Sequence, residues 1–262
     1  MDIYSLMPYK NKVKEKLAAG QTVNGIFYCN GRPAYVEMVG YAGLDFVIID
    51  TEHSSHDAEM VENMIRAAEV SGMAPIVRVY ENSPALILRA LDMGAGGVVI
   101  PQVNTAHEAR LAVTAAKFSP QGTRGVAGIT RGARYGYVPL TDYVTYSNKN
   151  SLVFVQVEDV IAVNNLEEIL AVDGLDGIFI GPTDLSQSMG MTGQFDNPEY
   201  CRIVADIITR GVKAGKWVGI FCLDTTQAKH YRNLGAQFLA IGSDSMLFVP
   251  AVRNLVDEIK KG

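Results

Sequence analysis

A short repeated pattern places the strongest constraint on the fold of this chain. Four segments each consist of a glycine, a short spacer and an apolar run rich in β-branched residues: 42–50, 93–101, 173–181 and 234–242. A glycine just beyond a helix supplies the left-handed residue that ends it. A short run that is apolar throughout is typical of a strand buried on both faces, as in a parallel sheet. The repeat therefore predicts helices that alternate with buried parallel strands.

Eight such strands are predicted, near residues 23–28, 46–50, 76–79, 97–101, 152–157, 177–181, 217–221 and 237–241. Strands that alternate with helices are the pattern of a (β/α)₈ TIM barrel, and the chain is long enough for one. We therefore expect a single barrel domain over residues 1–262. A doubly wound open sheet is the alternative fold. It needs a glycine-rich phosphate turn after its first strand, and residues 29–33, Cys-Asn-Gly-Arg-Pro, do not provide one.

Local signals predict several helix boundaries. Thr105 and Glu108 fit a capping box, and Thr225 is expected to cap a helix that ends near Gly235. The longest interruption of the pattern covers residues 118–150, which contain five glycines and three arginines. We expect this stretch to be a long loop with short helical pieces.

Composition narrows the class of protein. The net charge of −5 argues against a nucleic-acid partner, because phosphate binding needs a basic face. No apolar run approaches the roughly 20 residues that span a bilayer, so no membrane contact is expected. Residues 1–8 lack the features of a signal peptide, and the three cysteines form no CxxC pair. These features predict a cytoplasmic protein.

Charged side chains follow several of the predicted strands. Asp50 and His53 follow the second strand, Arg78 lies in the third, Glu158 ends the fifth, and Asp184 follows the sixth. The C-terminal ends of barrel strands all face one pocket. A charge at such a place costs stability unless it is paired or binds a metal. The sequence therefore predicts a catalytic site at this end of the barrel.

Glu158 and Asp184 are the candidate metal ligands. Two carboxylates that converge without a cation repel each other, and a divalent ion removes this conflict. All-oxygen ligands suit Mg²⁺ or Mn²⁺ better than Zn²⁺, which prefers nitrogen and sulfur. The alternative is structural: Asp184 would cap a helix, and Glu158 would pair with an arginine.

His53 and Arg78 are the other chemical candidates. His53 is a candidate general base, although it could also lie in a polar loop. Arg78 either pairs permanently with a protein carboxylate or holds a substrate oxygen.

None of the lysines lies at the C-terminal end of a predicted strand, which argues against a Schiff-base mechanism. Asp244 near the end of strand eight argues for a substrate without phosphate.

Six stretches together resemble the HpcH/HpaI aldolase family of metal-dependent class II pyruvate aldolases, which act on 2-keto-3-deoxy and 4-hydroxy-2-oxo acids. They are residues 46–53, 77–78, 94–101, 118–126, 155–158 and 178–186. The Gln-Val-Glu and Gly-Pro-x-Asp-Leu-Ser pieces, in that order, are the most specific. The resemblance covers the chain from about residue 23 to 250.

The resemblance implies roles for individual residues. Glu158 and Asp184 would hold the divalent metal, foremost Mg²⁺ or Mn²⁺ and then Co²⁺ or Zn²⁺. Arg78 would bind the 2-oxo oxygen, and His53, oriented by Asp50, would transfer a proton. Asp92 would approach the His of a neighbouring subunit. The substrate contacts would be Phe27, Gln156, Gly181, Pro182 and Thr183, with the amides of Gly181 and Thr183 as donors.

The resemblance also implies the reaction and the assembly. The expected reaction cleaves a 4-hydroxy-2-oxo acid, or a 2-keto-3-deoxy sugar acid, to pyruvate and an aldehyde through a metal-stabilised enolate. The alternatives are an enolate-forming decarboxylase or lyase and a keto-acid-binding protein without catalysis. A homohexamer that exchanges residues 244–261 between subunits is expected. Thr51, Gln102 and Phe27 replace the family's usual Gly, Met and Trp, so the substrate stays open.

Overall fold

The computed structural model describes residues 11–261, so residues 1–10 and 262 of the predicted domain lie outside the described residues. Eight parallel strands in this range form a closed barrel in the order β1 to β8, which confirms the predicted (β/α)₈ fold. They are β1 (Val23–Tyr28), β2 (Phe46–Asp50), β3 (Ala74–Arg78), β4 (Gly97–Ile100), β5 (Leu152–Val157), β6 (Gly177–Ile180), β7 (Trp217–Cys222) and β8 (Phe238–Ser243). Each strand pairs with both of its neighbours, and β8 pairs with β1.

Helices between the strands return the chain from the C-terminal end of one strand to the N-terminal end of the next, and one further helix lies before β1 and one after β8. They are α1 (Lys12–Ala18), α2 (Pro33–Tyr41), α3 (Ala58–Ser71), α4 (Pro84–Asp92), α5 (Ala106–Ala116), α6 (Leu140–Asn150), α7 (Val160–Asn164), α8 (Leu166–Leu170), α9 (Pro182–Ser188), α10 (Pro198–Lys213), α11 (Thr225–Leu234) and α12 (Asp244–Lys261). A short 3₁₀ helix covers Arg134–Gly136.

The local signals predict most helix ends correctly. The Thr105 side chain accepts the Glu108 N–H and the Glu108 carboxylate accepts the Thr105 N–H, which confirms the capping box. Gly235 is left-handed and ends α11 as predicted. The prediction for Thr225 is wrong, because Asp224 is the N-cap and accepts two backbone N–H groups. A carboxylate accepts two amides at once more readily than a hydroxyl does.

Aromatic rings fill the interior of the barrel. Phe46 stacks on Phe238 with ring centroids 3.8 Å apart, and Phe154 stacks on the same ring at 4.9 Å. Space for these rings comes from glycines on neighbouring strands. A Cβ at Gly25 would collide with the Phe46 ring, and one at Gly177 would collide with the Phe154 ring. Large and small residues therefore alternate to fill the barrel without a pore.

Residues 118–150 connect α5 to β5, so they lie at the N-terminal end of the barrel, opposite the strand ends that carry the candidate site. This stretch is more helical than predicted, because α6 occupies its last 11 residues. Buried arginines attach it to the barrel. Arg124 donates to Asp92 at 2.7 Å, and Arg131 donates to Glu69 at 2.6 Å.

Helix α12 differs from the others in its exposure. Within the described residues, none of its side chains is buried. Large apolar side chains are exposed along its length: Met246, Leu247, Phe248, Val249, Val252, Leu255, Val256 and Ile259. A contiguous apolar surface of this kind marks an interaction surface. The predicted exchange of residues 244–261 between subunits stays a prediction. No helix in residues 11–261 has the length and apolar character that a membrane span requires.

Gly177→Ala is expected to destabilise the barrel. Its Cβ would meet the Trp217 carbonyl oxygen and the Phe154 ring, and a backbone carbonyl in a closed sheet cannot move aside cheaply. We expect a loss of about 1–3 kcal/mol in the free energy of unfolding, measured by urea denaturation. Gly125→Ala is the matched control, because its Cβ would meet only Leu88 Cδ2 at 3.9 Å. Equal stability of the two variants would show that the interior is not close-packed.

Candidate active site

Two adjoining clefts lie at the C-terminal ends of the strands. The first, the aromatic cleft, has a volume of about 280 Å³ and is lined by Phe27, Cys29, Asp50, His53, Arg78, Gln156, Phe179, Gly181, Pro182, Thr183, Asp184, Phe221 and Ser243. The second, the polar cleft, has a volume of about 400 Å³ and is lined by Glu52, His53, Gln102, Asn104, Glu158, Asp159, Asp184, Gln187 and Ser188. His53 and Asp184 belong to both, so the clefts meet at these two side chains.

Arg78 is the buried cation of the site. Its Nε and Nη2 donate to the two carboxylate oxygens of Asp50 at 2.8 and 2.7 Å, and its Nη1 lies 3.2 Å from Glu52 Oε2. The guanidinium also lies over the Phe27 ring, with Cζ 4.8 Å from the centroid. Burial alone would raise the pKa of Asp50, but the hydrogen bonds and charge of Arg78 lower it below its usual value. Asp50 is therefore a permanent counter-ion that fixes the guanidinium plane.

The structure corrects the predicted partner of His53. Asp50 accepts from Arg78, from the Glu52 N–H and from the Cys29 thiol, and none of its described hydrogen bonds comes from His53. The acid nearest to His53 is Glu52, with Nε2 and Oε2 3.9 Å apart. Arg78, the Glu52 N–H and the Cys29 thiol together give each carboxylate oxygen of Asp50 two donors, which fills its lone pairs. The His53 side chain is 61% exposed, so it can contact a ligand in either cleft.

Glu158 is a buried carboxylate without a cationic partner. Its Oε1 accepts the Gln102 N–H at 2.7 Å, and its Oε2 accepts from the side-chain amide of Gln156. Burial raises the pKa of Glu158 to about 7; the Gln102 hydrogen bond opposes this shift, and the charge of Asp184 adds to it. The alternative that Glu158 pairs with an arginine is wrong in the described chain, since no salt bridge of Glu158 is present.

The loop after β6 brings Asp184 beside Glu158. Gly181 is the N-cap residue of α9, and Pro182 begins the helix, so Asp184 lies in the first turn and does not cap it. A Cβ at Gly181 would lie 2.5 Å from Glu158 Oε2 and 2.9 Å from Glu158 Cβ, so a larger residue there would displace the Glu158 side chain. One predicted donor is wrong: the Gly181 N–H already donates to Val157 O at 3.3 Å. Thr183 is the other predicted donor. The first intrahelical hydrogen bond of α9 runs from the Leu185 N–H to Gly181 O, so Thr183 precedes the residues whose N–H groups bond within the helix.

The pair Glu158 and Asp184 has the donor chemistry of a divalent-metal site. Both line the polar cleft, and the charge of Asp184 contributes to the raised pKa of Glu158. In residues 11–261 no group of three or more His, Cys, Asp or Glu side chains is arranged to bind a metal. Two carboxylates leave positions for water and substrate oxygens, which fits Mg²⁺ or Mn²⁺. The set does not fit a closed zinc site, which takes four protein ligands.

Several lining residues were not among the predicted site residues. Phe179 and Phe221 form the wall of the aromatic cleft with Phe27, at centroid distances of 5.8 and 5.6 Å from that ring. Alternation along β6 and β7 could have identified these inward positions. Glu52 is a further lining residue outside the predicted set, and only the fold shows its contact with Arg78.

Asp92 does not join the other predicted residues in this subunit. It ends α4, whose C-terminus precedes β4 and therefore lies at the N-terminal end of the barrel. There its carboxylate accepts from Arg124, and its carbonyl oxygen accepts from the Gly132 N–H. The structure thus brings together all of the predicted site residues of one subunit, and leaves Asp92 at the opposite end.

Comparison with known proteins decides the family. The profile described as HpcH/HpaI aldolase/citrate lyase matches residues 24–251. The chain belongs to this family. It is 38% identical over 253 residues to a 5-keto-4-deoxy-D-glucarate aldolase of Klebsiella pneumoniae, with 97% of this chain and 98% of that protein covered.

Solved structures of the family have the same fold. An HpcH/HpaI aldolase/citrate lyase family protein from Burkholderia cenocepacia has a TM-score of 0.89 at 34% identity, covering 95% of this chain and 99% of that chain. An HpcH/HpaI aldolase from Desulfitobacterium hafniense has a TM-score of 0.89 at 30% identity, covering 95% and 96% of the two chains. The resemblance inferred from the sequence motifs is therefore confirmed.

Glu158→Gln is expected to change how stability depends on pH in protein freed of divalent ions by a chelator. The pKa of Glu158 is raised from 4.5 to about 7, so the folded protein holds this proton more tightly than the unfolded chain does. Stability is therefore lost as the pH rises from about 4.5 through about 7, by about 3 kcal/mol, and a glutamine removes this loss. Urea denaturation at pH 5 and pH 8 measures the difference. Glu168→Gln, on the exposed surface, is the control, and a parallel pH dependence of Glu158→Gln and wild type would contradict the prediction.

Proposed function

We propose that this protein is a divalent-metal-dependent pyruvate aldolase, which cleaves a 4-hydroxy-2-oxo acid to pyruvate and an aldehyde. The observation that carries the proposal is the convergence of Arg78, His53, Glu158 and Asp184 on two clefts that share a boundary. Aldol cleavage needs a site for a keto acid, a site for an aldehyde and a proton carrier between them. The pair of clefts supplies this arrangement, and the family contains named aldolases.

The keto acid fits the aromatic cleft. Phe27, Phe179 and Phe221 supply an apolar wall for the methyl or methylene group of the pyruvate half. Arg78 supplies hydrogen-bond donors that Asp50 holds in a fixed plane, and these suit the 2-oxo oxygen. The Thr183 N–H, in the first turn of α9, is the backbone donor for the carboxylate.

The proposed cleavage removes one proton from the substrate and returns one proton to the pyruvate half. A base takes the proton of the C4 hydroxyl, the C3–C4 electron pair moves into the pyruvate half, and the aldehyde leaves. The resulting enolate takes a proton at C3 and becomes pyruvate. Arg78 stabilises the negative charge that develops on the 2-oxo oxygen. A divalent cation held by Glu158 and Asp184 would add electrostatic stabilisation of the same charge.

His53 is the proposed proton carrier. It lines both clefts, so it lies beside the place where a bond would join the keto acid to the aldehyde. Its side chain is 61% exposed, and Glu52 Oε2 lies 3.9 Å from its Nε2. A general acid–base catalyst needs this kind of access to the reacting hydroxyl.

We further propose a homo-oligomer, a hexamer by family resemblance, that shares its active sites. The exposed apolar side chains of α12 support an interface in which another copy of the chain packs against this helix. Asp92 lies at the far end of its own barrel, so it could serve a catalytic role only in a neighbouring subunit. All three cysteines are unpaired, which supports the predicted cytoplasmic setting.

Glu158→Gln and Asp184→Asn are each expected to abolish cleavage of a 4-hydroxy-2-oxo acid and to lower Mn²⁺ affinity at least about tenfold, because each change removes one of two charged ligands. Pyruvate release and calorimetric titration of Mn²⁺ are the measurements. Glu168→Gln, an exposed carboxylate of α8, is expected to change neither. Full activity of either site variant in the presence of a chelator would overturn the proposed function.

Two other functions are compatible with this site, and each predicts a different experimental result. An enolate-forming decarboxylase would release CO₂ from oxaloacetate and give no aldol product with any aldehyde. A keto-acid-binding protein would bind pyruvate and leave its methyl protons unexchanged in heavy water. Proton exchange together with aldol products supports the aldolase.

Mixed oligomers test the shared active site. Asp92→Asn keeps Glu158, and Glu158→Gln keeps Asp92, so a site built from two different copies can be complete. Subunits that refold together at random would restore activity at about one site in four, while each variant refolded alone stays inactive. Native mass spectrometry confirms that the oligomers are mixed. Mixed oligomers without activity would show that Asp92 does not act across the interface.

A further inference from the structure

The turn that follows β2 carries two side chains of the proposed site. The chain bends over residues 51–54, and Glu52 and His53 lie in this turn. Two hydrogen bonds stabilise its shape: the Glu52 N–H donates to Asp50 Oδ1 at 3.0 Å, and the Ser54 hydroxyl donates to Asp50 O at 2.5 Å. Both bonds connect the turn to its own strand, β2. Its position relative to the neighbouring strand β3 depends on other contacts.

Thr51 joins this turn to the end of β3. Its backbone N–H donates to Arg78 O at 3.0 Å, and its hydroxyl donates to the same oxygen at 2.7 Å. The N–H bond extends the pairing of the two strands, in which Asp50 lies opposite Arg78. The hydroxyl bond uses the second lone pair of the carbonyl oxygen. On the other side of the same peptide group, the Val79 N–H donates to Val99 O at 3.1 Å.

Three successive residues thus hold Arg78 at three different places. Asp50 accepts from Nε and Nη2, Thr51 donates to the carbonyl oxygen, and Glu52 Oε2 lies 3.2 Å from Nη1. Thr51 is half-buried and lines neither the aromatic cleft nor the polar cleft. It therefore acts through the residues that it holds and does not itself contact a ligand.

We propose that Thr51 is a positioning residue, whose hydroxyl fixes the turn that carries His53 relative to Arg78. This role rests on the proposed aldolase function, in which Arg78 stabilises the charge on the 2-oxo oxygen and His53 carries the proton. Both groups act on the same substrate, so the distance between them has to match that substrate. The hydroxyl adds a bond between the two elements that carry these groups, and it thereby preorganises them for the transition state.

Thr51→Val tests this role, because it removes the hydroxyl and keeps the size and the branched shape of the side chain. The backbone N–H at this position still donates to Arg78 O, so the strand pairing is retained. The assay is exchange of pyruvate methyl protons in heavy water with Mn²⁺, in which a proton leaves C3, the enolate forms and a deuteron returns to C3. We expect kcat to fall about fivefold, the equivalent of about 1 kcal/mol, while KM for pyruvate changes less than about twofold.

Thr51→Ser and Thr209→Val are the matched controls. Serine keeps the hydroxyl, so Thr51→Ser is expected to recover kcat to within about twofold of wild type. Thr209 makes the same kind of bond on the exposed face of α10, where its Oγ1 donates to Ala205 O at 2.8 Å. Thr209→Val is therefore expected to leave both kcat and KM unchanged. Urea denaturation of each variant shows whether a lower rate reflects a loss of folded protein.

The outcomes separate the role of Thr51 from the proposed function. A lower kcat in folded Thr51→Val that Thr51→Ser recovers would support the role. An unchanged kcat in Thr51→Val, whether or not its KM or stability changes, would overturn the role and leave the aldolase standing. An equal loss of kcat in Thr51→Ser would also overturn it, because the hydroxyl is then not the cause. No exchange of pyruvate methyl protons by the wild-type protein would overturn the proposed function itself.

Discussion

Closure of the parallel sheet is the constraint on which the rest of this structure depends. Every strand hydrogen-bonds to two neighbours, and the pairing of β8 with β1 removes any free edge. Because all strands point the same way, their C-terminal ends form one rim. Residues that are more than 100 positions apart, such as Arg78 and Asp184, therefore line a common cleft. The stacked rings of Phe46, Phe154 and Phe238 fill the barrel interior on the N-terminal side of this rim.

Within that rim, the Arg78 guanidinium pairs with one buried carboxylate, Asp50, and leaves another, Glu158, without a cationic partner among the described residues. Asp50 receives both parallel hydrogen bonds of Arg78, so its pKa is lowered and it stays ionised. Glu158 receives only neutral amide donors, and burial raises its pKa to about 7. The first carboxylate is a structural counter-ion, while the second lacks a cation of its own. The same fold thereby creates a guanidinium fixed by its own counter-ion and an adjacent carboxylate whose charge a divalent ion would balance.

The sequence predicted the barrel, its eight strands and most residues of the candidate site, because these depend on local patterns. Apolar runs mark strands, and a charge just after such a run marks the functional rim. The predictions from sequence that are wrong concern hydrogen-bond partners. Asp50 was assigned to His53 and holds Arg78 instead, and the Gly181 N–H was assigned to a ligand and bonds to Val157 O. Thr225 was chosen as a cap in place of Asp224, one residue away. Hydrogen-bond partners depend on distances between strands, which a linear pattern does not contain.

The sequence by itself determined the alternation of strand and helix, the family and the identity of the groups that could do chemistry, since residue type and spacing are local properties. The tertiary structure decided how those groups are distributed in space. It placed His53 and Asp184 at the boundary of two clefts and gathered three phenylalanines into one wall. It also sent Asp92 to the opposite end of the barrel. Each of these outcomes follows from the register and closure of the sheet, which only the folded chain defines.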